Sequence, residues 1–289
     1  MRWMEEDGRE RFLLGALGAP DRRPDYGIRR GWDATGSLAQ GLAVGGLWAL
    51  SPPPVRQRLQ YAGFGLWDGP QLGRLARAWK ARRLTSLGGI RHLAELLAGG
   101  PAWRRASNGT SAWPIIAVVR GRQEFGPRAL GHRSLLAVPL GDVKDRLNRL
   151  KARQWYRPVA PMIAAEDLET VFGSAQTSPF MTMAPEVRAE VRARYPALAH
   201  FDGTARHQSV GKLEEPWVHQ LLVEVRKLIW LGVLINTSFN TKGRPIVNRV
   251  DEALQMLRDL PDLDYVLVED WLFSKRGFPS ARVAGKERI

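Results

Sequence analysis

The 289-residue chain carries 43 Lys and Arg against 29 Asp and Glu, for a net charge of +14, and has no cysteine. The lack of cysteine excludes disulfides, thiolate nucleophiles and Cys-ligated zinc or iron–sulfur centres. The charge favours anionic partners (nucleotides, nucleic acids, acidic membrane surfaces) without choosing among them. Most of the cations are arginines scattered along the chain, so GC-rich coding bias explains the excess as well as polyanion binding does, and only a clustered patch counts as a nucleic-acid footprint. An apolar fraction of 44% is that of a globular protein, and the length allows roughly two domains.

The opening MRWMEEDGRERF lacks the apolar run of a signal peptide, and no stretch approaches about 18 consecutive apolar residues. The expectation is a soluble, cytoplasmic protein with no membrane partner. Residues 1–110 are broken by Pro52-Pro53-Pro54, Gly88-Gly89 and Gly99-Gly100-Pro101 into short apolar pieces. Within them, 38–50 reads as a buried helix, and 72–84 and 90–97 read as basic amphipathic helices. A domain start is placed near 111, because Pro114 to Val119 reads as a buried strand that empties into the loop Gly121-Arg-Gln-Glu-Phe-Gly-Pro-Arg-Ala-Leu-Gly131.

Further along, a strand is expected at 134–138 and helices at 142–152 and 166–172. A long helix is expected over 216–231, with Trp217, Leu221, Val225, Leu228 and Ile229 inward and Gly232 at its end. A short strand, 233–235, then delivers Asn236-Thr-Ser238-Phe-Asn240. Asn248 caps a last helix, and strands at 265–268 and 271–273 close the domain. No repeat of about 20–50 residues is present, so the fold class is α/β (α+β).

Four clusters carry polar chemistry. The Gly121–Gly131 loop holds Glu124, Arg128 and, just beyond, Arg133, with glycines that permit close backbone approach to a phosphorylated ligand; taken alone, the segment reads better as a Gly/Pro turn with surface arginines. Lys151, Arg153 and Arg157, interleaved with Trp155 and Tyr156, offer guanidinium forks and an ammonium suited to a triphosphate, although a helix dipole alone would explain Lys151. Arg206 lies in Asp202-Gly-Thr-Ala-Arg206-His-Gln-Ser209, and Asn236 and Ser238 follow an apolar run, as ligand-crevice residues do in open sheets. His132, His200, His207 and His219 show no metal-ligand spacing, and core or surface roles are expected for each. No P-loop and no G-x-S-x-G elbow occurs.

Taken in order, GRQEFGPRALGHRS, KARQWYRPVAPMI, DGTARHQSV and VLINTSFNTKGRPIV resemble the C-terminal domain of the NodU/CmcH-type (tobramycin carbamoyltransferase-like) carbamoyltransferase family. The resemblance implies a YrdC-like twisted mixed sheet with flanking helices over 111–276. Before it would come a remnant of an ASKHA-type carbamoyl-transfer domain with its linker, 1–110, which includes Asp33-Ala-Thr-Gly36; after it comes a tail, 277–289. It implies that ATP, with Mg²⁺, and carbamoyl phosphate give carbamoyl adenylate and pyrophosphate, and that the N-terminal domain passes the carbamoyl group to an acceptor hydroxyl. No histidine precedes His92, so the iron site of that N-terminal domain is not expected here, and the resemblance leaves the transfer step to a partner that supplies such a domain.

Carried over by the same resemblance, Lys151 and Arg157 hold phosphate and carbamoyl oxygens, Arg128 and Arg206 clamp phosphates, and Asn236 and Ser238 fix the adenylate. Two positions depart from the family pattern: Gln154 stands where Glu is usual, and Arg244 where an acidic residue is usual. Three other readings remain open at this point: a basic nucleotide- or RNA-binding module, a threonylcarbamoyl-adenylate synthase-like protein of tRNA modification, and a decayed paralogue. Because site charges are expected to be exposed, Lys151→Ala and Arg157→Ala are expected to impair catalysis with little loss of stability.

Overall fold

The structure, a computed structural model, describes residues 59–100 and 113–275. The helix expected over 38–50, the Asp33–Gly36 segment and the tail 277–289 lie outside the described residues. Eight strands form one mixed sheet: β1 (Arg82–Arg83), β2 (Ile116–Val119), β3 (Arg133–Ala137), β4 (Ala160–Ala164), β5 (Gln208–Val210), β6 (Val233–Ser238), β7 (Tyr265–Val268) and β8 (Trp271–Ser274), in the order β1-β8-β7-β2-β3-β6-β4-β5. The β2–β7 and β4–β5 pairs are parallel and the others antiparallel. Among the described residues, eight α-helices accompany the sheet: α1 (Leu72–Ala78), α2 (Leu84–Leu87), α3 (Gly89–Leu97), α4 (Val143–Leu150), α5 (Leu168–Phe172), α6 (Ala189–Arg194), α7 (Pro216–Ile229) and α8 (Val250–Asp259). This is the mixed α/β architecture expected, and among the described residues no helix is long and apolar enough to cross a membrane.

β2 and β7 read as unbroken apolar runs because both faces are covered. Alternate residues serve different cores. Ile116, Val118, Leu136 and Leu267 join α3 and α7 on one side, and Ala117, Val119, Leu135 and Val266 join α4 and α8 on the other. The 3.6-residue period of α7 turns Val218, Leu221, Leu222, Val225 and Ile229 inward, each contributing roughly 1.5–3 kcal/mol by burial. The stripe is thus rotated slightly from the expected one. Leu228 is 43% exposed, and Trp217 lies at the margin beneath the Arg120 guanidinium, 4.3 Å from its ring centroid.

Several expected boundaries shift for physical reasons. The helix expected over 72–84 stops at Ala78; Lys80 takes a positive φ of 51°, and Arg82–Arg83 becomes an edge strand on β8. Trp230, at φ 75°, ends α7, and Gly232 serves another purpose. Its N–H donates to Asp167 Oδ2 at 2.8 Å, and a Cβ there would come within 2.6 Å of that oxygen. β6 extends through Ser238, so Asn236 and Ser238 stand within a strand instead of after one.

Asn248 does not cap the last helix. The carboxylate of Asp68, far away in sequence, accepts the N–H of Val250 at 2.7 Å and of Asp251 at 3.2 Å, satisfying two of the free donors at the start of α8. Asn248 instead donates to Gly65 O at 2.9 Å and accepts from Arg133. Asp68→Ala is expected to cost about 1–2 kcal/mol, as loss of a helix cap does, read as a lowered denaturant midpoint; an unchanged midpoint would show the cap to be dispensable.

Residues 59–100 pack into the same body as residues 113–275. Besides the β1–β8 pairing, Gly63 N–H donates to Gln123 O at 3.0 Å and Gln123 N–H to Phe64 O at 2.8 Å, while Leu93, Ala94, Leu96 and Leu97 of α3 are buried in the core shared with α7.

Candidate functional site

Strand direction gathers the site. β3 and β4 both run antiparallel to β6, and β5 runs parallel to β4. The starts of β3, β4 and β5 therefore lie with the C-terminal end of β6. Arg128 precedes β3, Arg157 precedes β4, Arg206 precedes β5, Asn236 and Ser238 end β6, and Lys151 is the C-cap of α4. All six line one cleft of about 320 Å³, within the size range of small-molecule sites. Arg153 and Lys242 line it too, so that six cationic side chains face the cleft, and among the described residues no Asp or Glu does.

The GPRALG loop is held from beneath by a buried carboxylate. Glu124 Oε1 accepts the N–H groups of Leu130, His132 and Arg133 at 2.6, 2.8 and 3.1 Å. Gly126 and Gly131 have φ of 120° and 117°, and at Gly131 a Cβ would meet Val218 Cγ2 at 2.7 Å, so no larger residue keeps this path. On its other side the loop is fixed by amides: Asn236 Nδ2 donates to Ala129 O at 2.9 Å and to Gln208 Oε1 at 3.0 Å, and Gln208 Nε2 donates to Leu130 O at 2.9 Å.

Arg133, grouped by sequence with Arg128, is fully buried and belongs to the scaffold. It donates to Asn248 Oδ1 at 3.0 and 2.9 Å, to Arg120 O at 2.7 Å and to Gly121 O at 3.0 Å. The histidines take core and surface roles. His132 stacks on Tyr61 at 3.9 Å and meets Glu215 at 3.1 Å; His219 meets Glu166 at 3.0 Å. Among the described residues no cluster of three or more His, Asp or Glu is placed to hold a metal.

Lys151 is not the solvated helix end that a dipole argument pictures. It is buried, and its ammonium donates to Ser238 O at 2.5 Å, Ser238 Oγ at 3.1 Å, Asn240 O at 3.1 Å and Asn240 Oδ1 at 2.6 Å. Burial, assisted by the nearby Arg153, pushes its pKa down to about 7. Burial also lowers Arg153 to about 10, with Arg157 and Arg206 adding repulsion, and lowers Arg206, with Arg128 adding to it. The cleft thus crowds like charges out of water, and a bound polyanion relieves that cost. Arg153 Nη2, Arg206 Nε and Asn236 Oδ1 are buried without a hydrogen-bond partner among the described residues, polar atoms that a ligand can satisfy.

Sequence reasoning missed three contributors. Asn148, 1% exposed, donates to Trp155 O at 2.7 Å and Arg157 O at 3.1 Å and accepts from Arg153 Nε at 2.6 Å, so one side chain shapes the whole basic turn; its only signal was an Asn inside a helix, where it is a poor former. Lys242 was visible as a cation in a Gly-containing turn after the NTSFN segment. Met181 lines the cleft, packed near Leu130 and Ala160, and nothing in its local sequence announces it.

Comparison with known proteins gives a match of residues 111–275 to the family model described as Carbamoyltransferase C-terminus. An uncharacterized protein of Methanocaldococcus jannaschii is 36% identical over 164 residues, 56% of this chain and 27% of its own length. A 3'-hydroxymethylcephem-O-carbamoyltransferase of Amycolatopsis lactamdurans is 40% identical over 158 residues, 54% of this chain and 30% of its own. Nodulation protein NolNO of Sinorhizobium fredii is 40% identical over 177 residues, 60% and 26% respectively. The chain spans less than a third of the length of each of these relatives.

Proposed function

Because this chain belongs to the carbamoyltransferase C-terminal family, we propose that its cationic cleft binds ATP and carbamoyl phosphate and forms carbamoyl adenylate for transfer to an acceptor hydroxyl. The observation that carries this reading is the convergence of six cations with, among the described residues, no facing carboxylate, around unpaired donors of Arg153 and Arg206. Such a set matches two phosphorylated substrates and little else among small molecules.

In the reaction, water splits carbamoyl phosphate to carbamate and inorganic phosphate. A carbamate oxygen then attacks the α-phosphorus of ATP, the bond from that phosphorus to the bridging oxygen breaks, and pyrophosphate leaves with the electron pair. Negative charge grows on the phosphoryl and leaving oxygens, where fixed cations lower the barrier without themselves reacting. Arg128 and Arg206, at the starts of different strands, suit the β- and γ-phosphates. Lys151, anchored to Ser238 and Asn240, and Arg157 suit the α-phosphoryl and carbamoyl oxygens, and the ends of Asn236 and Ser238 suit the adenylate. With no carboxylate in the cleft among the described residues, the donors present fit Mg²⁺ only as an ion carried on the nucleotide's phosphates.

We assign the transfer step to a part of the longer relatives that this chain does not match, and leave the acceptor open. The test is pyrophosphate release from ATP by the purified chain with Mg²⁺. Release that depends on carbamoyl phosphate is the expected result; folded protein that releases none, or releases it only with threonine and bicarbonate, overturns the reading.

A further inference from the structure

Three aromatic side chains stand in solvent beside the cleft: Trp155 at 69% exposure, Tyr156 at 51% and Phe201 at 77%. Such exposure is costly for isolated large rings, yet these touch one another. Trp155 meets Tyr156 at 5.9 Å and Phe201 at 6.1 Å between centroids, both near perpendicular. The Lys144 ammonium lies 5.2 Å over the Phe201 ring.

Their placement follows from the two loops that supply the cleft's arginines. Asn148 grips the carbonyls of Trp155 and Arg157 and the guanidinium of Arg153, so the turn sends Arg153 and Arg157 into the cleft and leaves Trp155 and Tyr156 outside it. Phe201 opens the loop that ends in Arg206, which a tight Asp202–Thr204 turn closes, with Asp202 Oδ1 accepting from Thr204 N at 3.0 Å. The aromatic cluster therefore bridges the two basic loops at the mouth of the cleft. None of the three rings lines its wall.

We propose that this cluster is the base-stacking platform for the nucleotide whose phosphates the cleft takes, with Trp155 as the principal face, and that it accepts purines with little discrimination among them. The proposal rests on the nucleotide reading above. Polyphosphate in the cleft leaves the nucleoside end directed outward, and rings supported by loops that also carry phosphate ligands couple the two contacts rigidly. The polar groups carried by the three rings themselves are the Trp155 indole N–H and the Tyr156 hydroxyl. A π-face binds any base, and adenine and guanine have similar faces, so selectivity against nucleotides lacking a large base should exceed selectivity between the two purines.

The test compares ATP, GTP and inorganic triphosphate, each titrated calorimetrically into the full chain, its Trp155→Ala/Phe201→Ala variant and its Trp155→Phe variant. The wild type should bind ATP and GTP within a few-fold of each other and about tenfold or more above triphosphate. The double variant should lose that advantage while keeping its triphosphate affinity, and Trp155→Phe, which retains an aromatic face, should keep most of it. Equal binding of ATP and triphosphate by the wild type, or an ATP advantage that survives the double substitution, overturns the platform while leaving the phosphate cleft intact. Absence of triphosphate binding altogether overturns the cleft reading, and the platform with it.

Discussion

Lys151→Ala and Arg157→Ala are each expected to cut carbamoyl-phosphate-dependent pyrophosphate release at least tenfold, but only the first should weaken the fold. On the proposed reading, both remove a cation aimed at oxygens that gain charge in the transition state. Their structural settings differ. Arg157 is exposed, so its loss should change stability by less than about 0.5 kcal/mol. Lys151 is buried and supplies the donor for four oxygens of Ser238 and Asn240, and removing it should cost on the order of 1–3 kcal/mol. The expectation from sequence that both changes would spare stability is thus revised for Lys151, whose burial the chain does not advertise.

The lowered pKa of Lys151 adds a pH signature. Its folded value of about 7 lies below its ordinary value of 10.5, so between these the unfolded chain holds a proton that the folded chain lacks. The contribution of this group then makes stability rise with pH across that window, and the Ala variant should lose that part of the slope. An anionic ligand favours the ammonium, so ATP should bind with proton uptake just above pH 7 and more weakly as pH rises. Calorimetry in buffers of different ionisation enthalpy measures the uptake; affinity independent of pH between 6 and 9 would remove Lys151 from the phosphate site.

The second large effect concerns Glu124, which faces no ligand. Glu124→Ala leaves three backbone N–H groups without their common acceptor and takes the negative charge from beside the buried Arg133, whose pKa burial lowers and Glu124 supports. Breaking one side of a buried charged arrangement typically costs about 3–5 kcal/mol, so the variant should be largely unfolded or melt far below the wild type. Glu124→Gln, which keeps an acceptor, should fall between the two. A variant with native melting behaviour and reduced activity would move Glu124 from scaffold to chemistry.

The parts of this architecture that were legible are those where one rule dominates. β2 and β7 are continuous apolar runs because helices cover both faces, and α7 declares itself by period and by Pro216. β4 was hidden by Pro161, which argues against a strand paired on both sides, and β5 by its length of three residues and the polar Gln208 and Ser209. The cap of α8 was illegible for a different reason: Asp68 reaches it across the whole chain, and no local window contains both partners. The six site residues were readable as types in ordered motifs. Their convergence was not, because it depends on β3, β4 and β5 all starting where β6 ends, a property of strand order that no single motif encodes.

That the sheet's outermost strand, the cap on α8 and the lining of one core all come from residues 59–100 bears on how this module can travel between proteins. A gene fusion or recombination event that joined a new neighbour at residue 111, where the family match begins, would strip β1 from β8, uncover the α7 face packed by Leu93 and Leu97, and release Asn248 from Gly65. The heritable unit that keeps Arg133, and through it the Gly121–Gly131 loop, in place therefore begins well upstream of the recognisable motifs, and breakpoints that survive selection should be sought before residue 59.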